Sequence, residues 1–186
     1  MSSPRAVVVQ EASCPLEGWD DAVRGKLVWR TLLSGDRTPS SQLTLGVTEV
    51  GPGQPSPFHP HRHAQSEIYY VLSGEGSVHI DGEEHPLRAG TGVFIPGDTW
   101  HGARNTGSEV LRLLYVFAAD SFGDVKYVFP GESDPAGRVS VPPRKLGDRH
   151  ERDEAAEPRR GDARVVGSLP EVLPARARRG RRARAH

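Results

Sequence analysis

Cysteine is almost absent from this chain. Cys14 is the only one among 186 residues, so no disulfide can close within the chain, and a metal site would rest on histidine and carboxylate rather than thiolate ligands. Long apolar runs are also missing, and no segment could span a bilayer or form the core of a signal peptide. We therefore expect a soluble cytoplasmic protein without membrane contact.

Hydrophobic residues are scarce as well. They make up 35% of the chain, which is low for a chain of this length that folds from end to end. The formal net charge of zero hides an asymmetry, since residues 1–130 carry 10 basic and 15 acidic side chains, and residues 131–186 carry 14 and 9. Residues 131–186 also contain no aromatic side chain and no apolar period, which is typical of disorder.

These changes in charge and composition predict three parts of the chain. They are an N-terminal extension over residues 1–26, a folded domain over 27–130, and a disordered basic tail rich in Pro, Arg and Ala over 131–186. The tail ends in an acid-free cluster of arginines, namely Arg176, Arg178, Arg179, Arg181, Arg182 and Arg184. Such a cluster could attract nucleic acid. We favour a solvated tail and expect no nucleic-acid partner.

The predicted domain has the pattern of a β protein. Short β-branched or aromatic runs occupy residues 43–47, 68–72, 78–80, 93–95 and 111–117, and turn residues separate them. Asp81-Gly82 is a strong signal for a two-residue hairpin. Close, even spacing of short strands predicts an antiparallel sandwich or barrel. A short helix or loop is the expectation for residues 16–23.

Three histidines form one short run, His59, His61 and His63. Residues two apart on a strand point the same way, so a neighbouring pair can hold one metal ion. His59 and His63 would lie roughly 13 Å apart on an extended strand, too far to share an ion. Pro60 lacks the N–H of a sheet residue, which places His59 at a strand entry. We choose His61 with His63, and keep His59 with His61 as the alternative register.

Glu67 and the distant His101 can complete the ligand set. Four residues of straight strand span roughly 13 Å, so Glu67 reaches the pair only if the chain turns through residues 64–66 and the site folds around a hairpin. Three histidines and one glutamate suit a divalent transition metal, namely Fe, Mn, Ni, Co or Zn. On an octahedral ion they leave two positions for substrate, as in a catalytic site.

Two spaced motifs resemble those of the cupin superfamily. The first is His61-x-His63-x3-Glu67-x6-Gly74, and the second is Gly90-x5-Pro96-x4-His101-x3-Asn105. In this order they cover roughly residues 40 to 118. The resemblance, to small single-domain type-2 cupins, implies an antiparallel jelly-roll barrel that is often a homodimer. It also implies a divalent metal held by His61, His63, Glu67 and His101.

Two positions depart from the family pattern. Pro55 replaces the glycine expected six residues before the first ligand histidine, whereas Gly53 would fit the alternative register. The second motif normally contains Pro-x-Gly, and Asp98 stands at that glycine. We expect the turn to persist, and Asp98 could orient His101 by a hydrogen bond.

The resemblance implies a metal-dependent enzyme without choosing its reaction. We expect lyase, isomerase, cyclase or dioxygenase chemistry on a small polar or aromatic metabolite. Glu67 could leave the metal and accept a proton. Tyr69 shares the strand face of Glu67 and is the second catalytic candidate. The alternative is a non-catalytic sensor or storage barrel that binds a small molecule.

Overall fold

The computed structural model describes residues 6–53 and 59–133. Most of the regular structure in these ranges is β-strand, and two 3-10 helices, Glu11–Ser13 and Phe122–Asp124, are three residues long each. The strands are β1 (Glu17–Asp21), β2 (Gly25–Leu33), β3 (Thr44–Val50), β4 (Glu67–Ser73), β5 (Glu75–Ile80), β6 (Glu83–Arg88), β7 (Gly92–Ile95), β8 (His101–Asn105) and β9 (Leu111–Phe117). Within the described ranges, no helix has the length and apolarity needed to cross a membrane. The predicted tail lies outside them from residue 134 onward.

The strands form two antiparallel sheets. One sheet has the order β1-β2-β3-β9-β4-β7, and the other has the order β6-β5-β8. Buried side chains of both sheets meet in one core, for example Val71 and Leu113 of the large sheet with Val78 of the small one. The antiparallel all-β fold predicted from the sequence is confirmed.

Strand β4 shows how the sequence gives the large sheet two different faces. Between residues 67 and 72, odd-numbered side chains are buried and even-numbered ones are exposed, because successive side chains of a strand point to opposite sides. Pairing with β9 places Glu67 opposite Phe117 and Tyr69 opposite Tyr115. Glu67 and Tyr69 therefore face the interior together.

The hairpin between β5 and β6 is confirmed. Asp81 and Gly82 form its two-residue loop, with φ angles of 48° and 88°, and positive φ at both positions is what the favoured hairpin turn requires. Pro86 lies on β6, an edge strand of the small sheet, where a missing N–H is tolerated.

The expectation of a helix or loop over residues 16–23 is wrong. Residues Glu17–Asp21 form β1, which pairs with β2 from Glu17 opposite Trp29 to Asp21 opposite Gly25. The predicted boundary between residues 26 and 27 consequently falls inside β2, and β1 lies within the predicted extension. Strand β1 has only one large apolar side chain, Trp19, so its sequence shows no alternation of apolar and polar residues. Pairing with β2 stabilises it instead. The three-part division of the whole chain stays a prediction.

Gly46 of β3 lies directly beneath Tyr115 of β9, its cross-strand neighbour. A Cβ atom at position 46 would collide with the Arg30 carbonyl oxygen and with the Tyr115 hydroxyl. The close approach of β2, β3 and β9 at this point therefore requires glycine.

Replacing Gly46 by alanine should lower the free energy of unfolding by roughly 1–3 kcal/mol, because the new methyl group overpacks the core. The midpoint of urea denaturation measures this change. Gly92→Ala in β7 is the matched control, since a Cβ atom there has no heavy atom within 4 Å, and we expect a change within about 0.5 kcal/mol. Equal midpoints for the two variants would contradict the packing described here.

Candidate metal centre

Two pairs of backbone hydrogen bonds hold the histidine run in place. His61 and His101 exchange N–H···O bonds of 2.9 Å in both directions, and Arg62 and Val128 exchange bonds of 3.1 and 2.9 Å. Neighbouring residues of an extended segment direct their backbone groups to opposite sides. Backbone hydrogen bonds therefore hold the histidine run between β8 and the segment around Val128.

A bend over residues 64–66 returns the chain to β4, whose first residue is Glu67. The expected turn is present, but the expected hairpin is not, because His61 and Arg62 bridge to His101 and Val128 rather than to β4. The reason is topological. Both edges of β4 are already occupied, by β9 and by β7, so the histidine segment can approach β4 only through side chains.

The bridges and the bend bring together His61, His63, Glu67 and His101. Each offers one ligand atom, and these atoms lie within 4.8 Å of one another. His63, Glu67 and His101 are at most 3% exposed, and His61 is half-buried. His59 is outside this group and lines a neighbouring cavity that also reaches His61 and Tyr69. The ligand set chosen from the sequence is thus the one that converges, namely His61, His63, Glu67 and His101.

Backbone carbonyls orient two of the imidazole rings. The Nδ1 atoms of His63 and His101 lie 2.8 Å from the carbonyl oxygens of Gln65 and Thr99. A carbonyl oxygen only accepts, so Nδ1 carries a proton and Nε2 is the ring atom turned toward Glu67. These Nε2 atoms lie 3.3 and 2.9 Å from the same Oε2 atom of Glu67. Imidazole nitrogens and a carboxylate oxygen that converge in this way form a donor set that fits a divalent metal ion.

The protonation of the group also fits a metal. Burial, followed by the nearby rings of His101 and His63, holds the pKa of His61 well below its ordinary value. For Glu67, burial by itself would raise the pKa, but interactions with His101 and His63 outweigh it and the pKa lies below its ordinary value. A neutral imidazole and an ionised carboxylate are the forms that bind metal ions.

Asp98 does not orient His101, contrary to the expectation from the sequence. The Thr99 carbonyl does so, and the Asp98 carboxylate pairs with Arg62 at 3.4 Å. The φ angle of Asp98 is 60°, the left-handed conformation for which glycine is favoured and which aspartate adopts more readily than most residues. The replacement of the family glycine therefore preserves the turn, and the Asp98 N–H donates to the His63 carbonyl at 2.7 Å.

Tyr69 faces the interior beside the four residues, as its strand parity predicts. It is 6% exposed, whereas its neighbour Tyr70 is 45% exposed. Burial, followed by the charge of Glu67, raises the pKa of Tyr69 well above its ordinary value. Tyr69 is thus a neutral phenol on the same strand face as Glu67.

A cavity beside the group is lined mainly by aromatic side chains. Besides His61 and Glu67 it is lined by seven aromatic residues, namely Trp19, Trp29, Tyr69, Tyr115, Phe117, Phe122 and Tyr127. The Tyr127 ring lies 5.0 Å from the ring of His61 and 5.5 Å from that of His63. The site therefore has a largely apolar wall.

Sequence reasoning missed three members of this wall, Trp19, Phe122 and Tyr127. They lie on β1 and beyond β9, outside the segment that carries the spaced motifs. One signal could have found two of them, since three aromatic residues occur between positions 122 and 129, just before the composition changes.

Comparison with known proteins identifies the family. The cupin domain model matches residues 46–117. Dimethylsulfoniopropionate lyase DddW of Ruegeria pomeroyi is 41% identical over 121 residues, which are 65% of this chain and 78% of that protein. An oxalate-binding protein of Thermotoga maritima is 31% identical over 93 residues, which are 50% of this chain and 76% of that protein. The chain belongs to the cupin family.

The structural comparison agrees with this family. The polyketide cyclase RemF of Streptomyces resistomycificus superposes with a TM-score of 0.54 at 22% identity, covering 67% of this chain and 87% of that one. The predicted cupin barrel is thereby confirmed. The names of these three proteins include a lyase, a binding protein and a cyclase, so the fold does not select the reaction.

Protein purified without chelator should carry about one divalent metal ion per chain, as expected for one ligand group. His63→Ala should abolish this content, because it removes a buried ligand, and elemental analysis by mass spectrometry measures the change. His59→Ala and His85→Ala are the controls and should keep the metal, since neither side chain belongs to the group. Full metal content in His63→Ala would contradict the chosen register.

Proposed function

We propose that this protein is a metal-dependent lyase that acts on a small carboxylate with a leaving group on its β-carbon. The observation that carries the proposal is the position of Tyr69, which is buried on the same strand face as Glu67, beside the four-residue group and at the wall of an aromatic cavity. The identity of 41% with a dimethylsulfoniopropionate lyase supports this reaction class.

In this proposal, His61, His63, Glu67 and His101 hold the metal. A divalent ion in such a site supplies a Lewis acid that stabilises negative charge developing on the substrate. The remaining chemistry falls to the side chains of the chain itself.

The elimination needs a group that takes the proton from the α-carbon. In this proposal the Tyr69 oxygen accepts this proton while its own phenolic proton passes to the carboxylate of Glu67, which lies on the same strand face. The electrons of the C–H bond form the carbon–carbon double bond, and the leaving group departs with its bonding pair.

The aromatic wall favours this chemistry in a second way. Trp29, Tyr115 and Phe117 are each at most 9% exposed, so these walls shield one side of the cavity beside Glu67 from bulk water. Shielding strengthens the electrostatic interactions of the site and limits proton exchange with solvent.

Replacing Tyr69 by phenylalanine should lower kcat for dimethylsulfoniopropionate by about 10²–10⁴-fold, because the proton acceptor is lost, while the metal content stays unchanged. Gas chromatography of released dimethyl sulfide measures the rate. Tyr70→Phe is the matched control, since Tyr70 lies on the same strand with its side chain on the outer face. A Tyr69→Phe variant with the parental rate would rule out the relay, and metal-loaded protein that releases no dimethyl sulfide would count against this substrate.

Binding without catalysis is the second candidate function, and the identity of 31% with an oxalate-binding protein favours it. In that case oxalate should bind in a calorimetric titration and be recovered unchanged. Recovery of intact oxalate together with intact dimethylsulfoniopropionate would favour this candidate over the lyase.

We also propose that two copies of the chain form a homodimer through the outer face of β4 and β7. Ile68, Tyr70, Leu72 and Phe94 are 46, 45, 39 and 64% exposed there. Ile68 lies opposite Phe94 in register, so the apolar side chains are contiguous. A continuous apolar patch of this kind can pair with itself around a two-fold axis.

Phe94→Asp should convert the dimer to a monomer, because it places a charge in the centre of the buried patch. Light scattering coupled to gel filtration measures the mass. Val8→Asp is the control, since Val8 is 90% exposed and lies outside the patch. A parental protein with the mass of one chain would contradict the dimer.

A further inference from the structure

Trp19 borders three cavities around the candidate metal centre. It lines the aromatic cavity beside Glu67, the neighbouring cavity that His59 lines, and an outer cleft. The outer cleft has a volume of about 610 Å³, and its wall includes Tyr127 and Phe129 as well as Trp19. Among the described residues, Trp19 alone lines all three of these spaces. Trp19 therefore lies at their junction.

Ring contacts place the Trp19 side chain between the interior and solvent. One neighbour is Trp29, whose ring centroid lies 4.9 Å from that of Trp19 and which is 9% exposed. Another is Arg24, whose guanidinium carbon lies 5.5 Å from the centroid of the Trp19 ring and whose side chain is 49% exposed. The ring thus contacts a buried residue and a solvent-exposed one, as expected for a side chain that separates a cavity from solvent.

Tyr127 extends this separation. The Trp19 and Tyr127 rings pack edge to face, with centroids 5.5 Å apart and planes at 82°, which is the spacing of aromatic rings in contact. Both residues line the aromatic cavity and the outer cleft. Because two rings in contact leave no passage between them, Trp19 and Tyr127 form a partition between the cavity beside Glu67 and the cleft.

The turn between β1 and β2 supports the partition from outside. The Asp21 carboxylate accepts hydrogen bonds from the backbone N–H groups of Val23 and Arg24 at 2.9 and 2.8 Å. It also pairs with the Arg24 side chain at 2.6 Å. These contacts hold Arg24 near the Trp19 ring, whose face attracts a cation. The hairpin that carries Trp19 therefore also fixes its position.

We propose that Trp19 is a specificity-determining residue that limits the substrate to short carboxylates with a compact substituent on the β-carbon. The inference rests on the proposed function and names the size class of its substrate. A molecule bound beside Glu67 that extends into the neighbouring cavity or the outer cleft has to pass Trp19, since this residue borders each of these spaces. A longer chain therefore meets the ring, whereas a short one stays within the aromatic cavity.

The place of Trp19 in the large sheet suits this role. Trp29 and Phe117 lie on β2 and β9, which have a strand on each side, and both belong to the buried core. Trp19 lies on β1, which ends the sheet and pairs with β2. A change of side chain at position 19 disturbs fewer neighbours, so the size of the cavity can vary there while the barrel stays intact.

Straight-chain carboxylates test the limit without turnover. Full-length protein loaded with zinc is titrated calorimetrically with sodium propionate and with sodium hexanoate, which is longer by three methylene groups. We expect the parental protein to bind propionate more tightly than hexanoate, because Trp19 excludes the longer chain. In Trp19→Ala the hexanoate Kd should fall at least about tenfold, since burial of each methylene group tightens binding about fourfold, while the propionate Kd should change less than about threefold.

Trp19→Phe is the matched variant, since it keeps an aromatic ring in the partition, and it should retain the preference for propionate. Val8→Ala is the control and should match the parental protein, because Val8 is 90% exposed and lines none of the three cavities. Thermal melting curves establish that each variant is folded at the temperature of the titration.

Parental protein that binds hexanoate as tightly as propionate would overturn the size limit, whatever the variants do. Equal hexanoate Kd values for parental protein and Trp19→Ala would overturn it too, and so would zinc-loaded protein that binds no propionate. A protein that shows the expected limit but releases no dimethyl sulfide from dimethylsulfoniopropionate would refute the lyase while supporting the role of Trp19. Release of dimethyl sulfide by a protein that binds both acids equally would keep the lyase and refute the limit.

Discussion

The backbone hydrogen bonds of His61 and Arg62 are the constraint on which the site depends. They connect two residues of the histidine run to His101 on one side and to Val128 on the other. Neither partner is close in sequence, so the ligand group can form only after the small sheet and the segment beyond β9 have reached their places. A metal ion bound there would stabilise the folded chain as a whole, because it binds the folded form in preference to the unfolded one.

Strand β4 gives the same seven residues two separate roles. Its inward side chains place Glu67 and Tyr69 at the site, and its outward side chains, Ile68 and Tyr70, form part of an apolar outer face. A shift in register by one residue would exchange these faces and destroy both. Two neighbouring strands fix the register of β4 through long ladders, and this explains why the site can rest on the first residue of a strand.

Spacing and residue type predicted which residues of the two motifs converge. The choice of His61 and His63 over His59 followed from strand geometry and Pro60, and the structure brings that pair to Glu67 and His101. The hairpin around residues 64–66 was wrong because the sequence does not reveal that both edges of β4 are occupied. Strand β1 could not be predicted from its own sequence, since its pairing with β2 defines its position.

The four converging residues and part of the aromatic wall come from different parts of the chain. The ligands lie within residues 46–117, the segment that matches the cupin domain, whereas Trp19, Trp29, Phe122 and Tyr127 of the wall lie outside it. Mutations in the flanks can therefore reshape the cavity while the ligand group stays intact. Over evolution, this division lets descendants of one ancestral barrel acquire new substrates by exchanging their flanking segments, without rebuilding the centre that activates them.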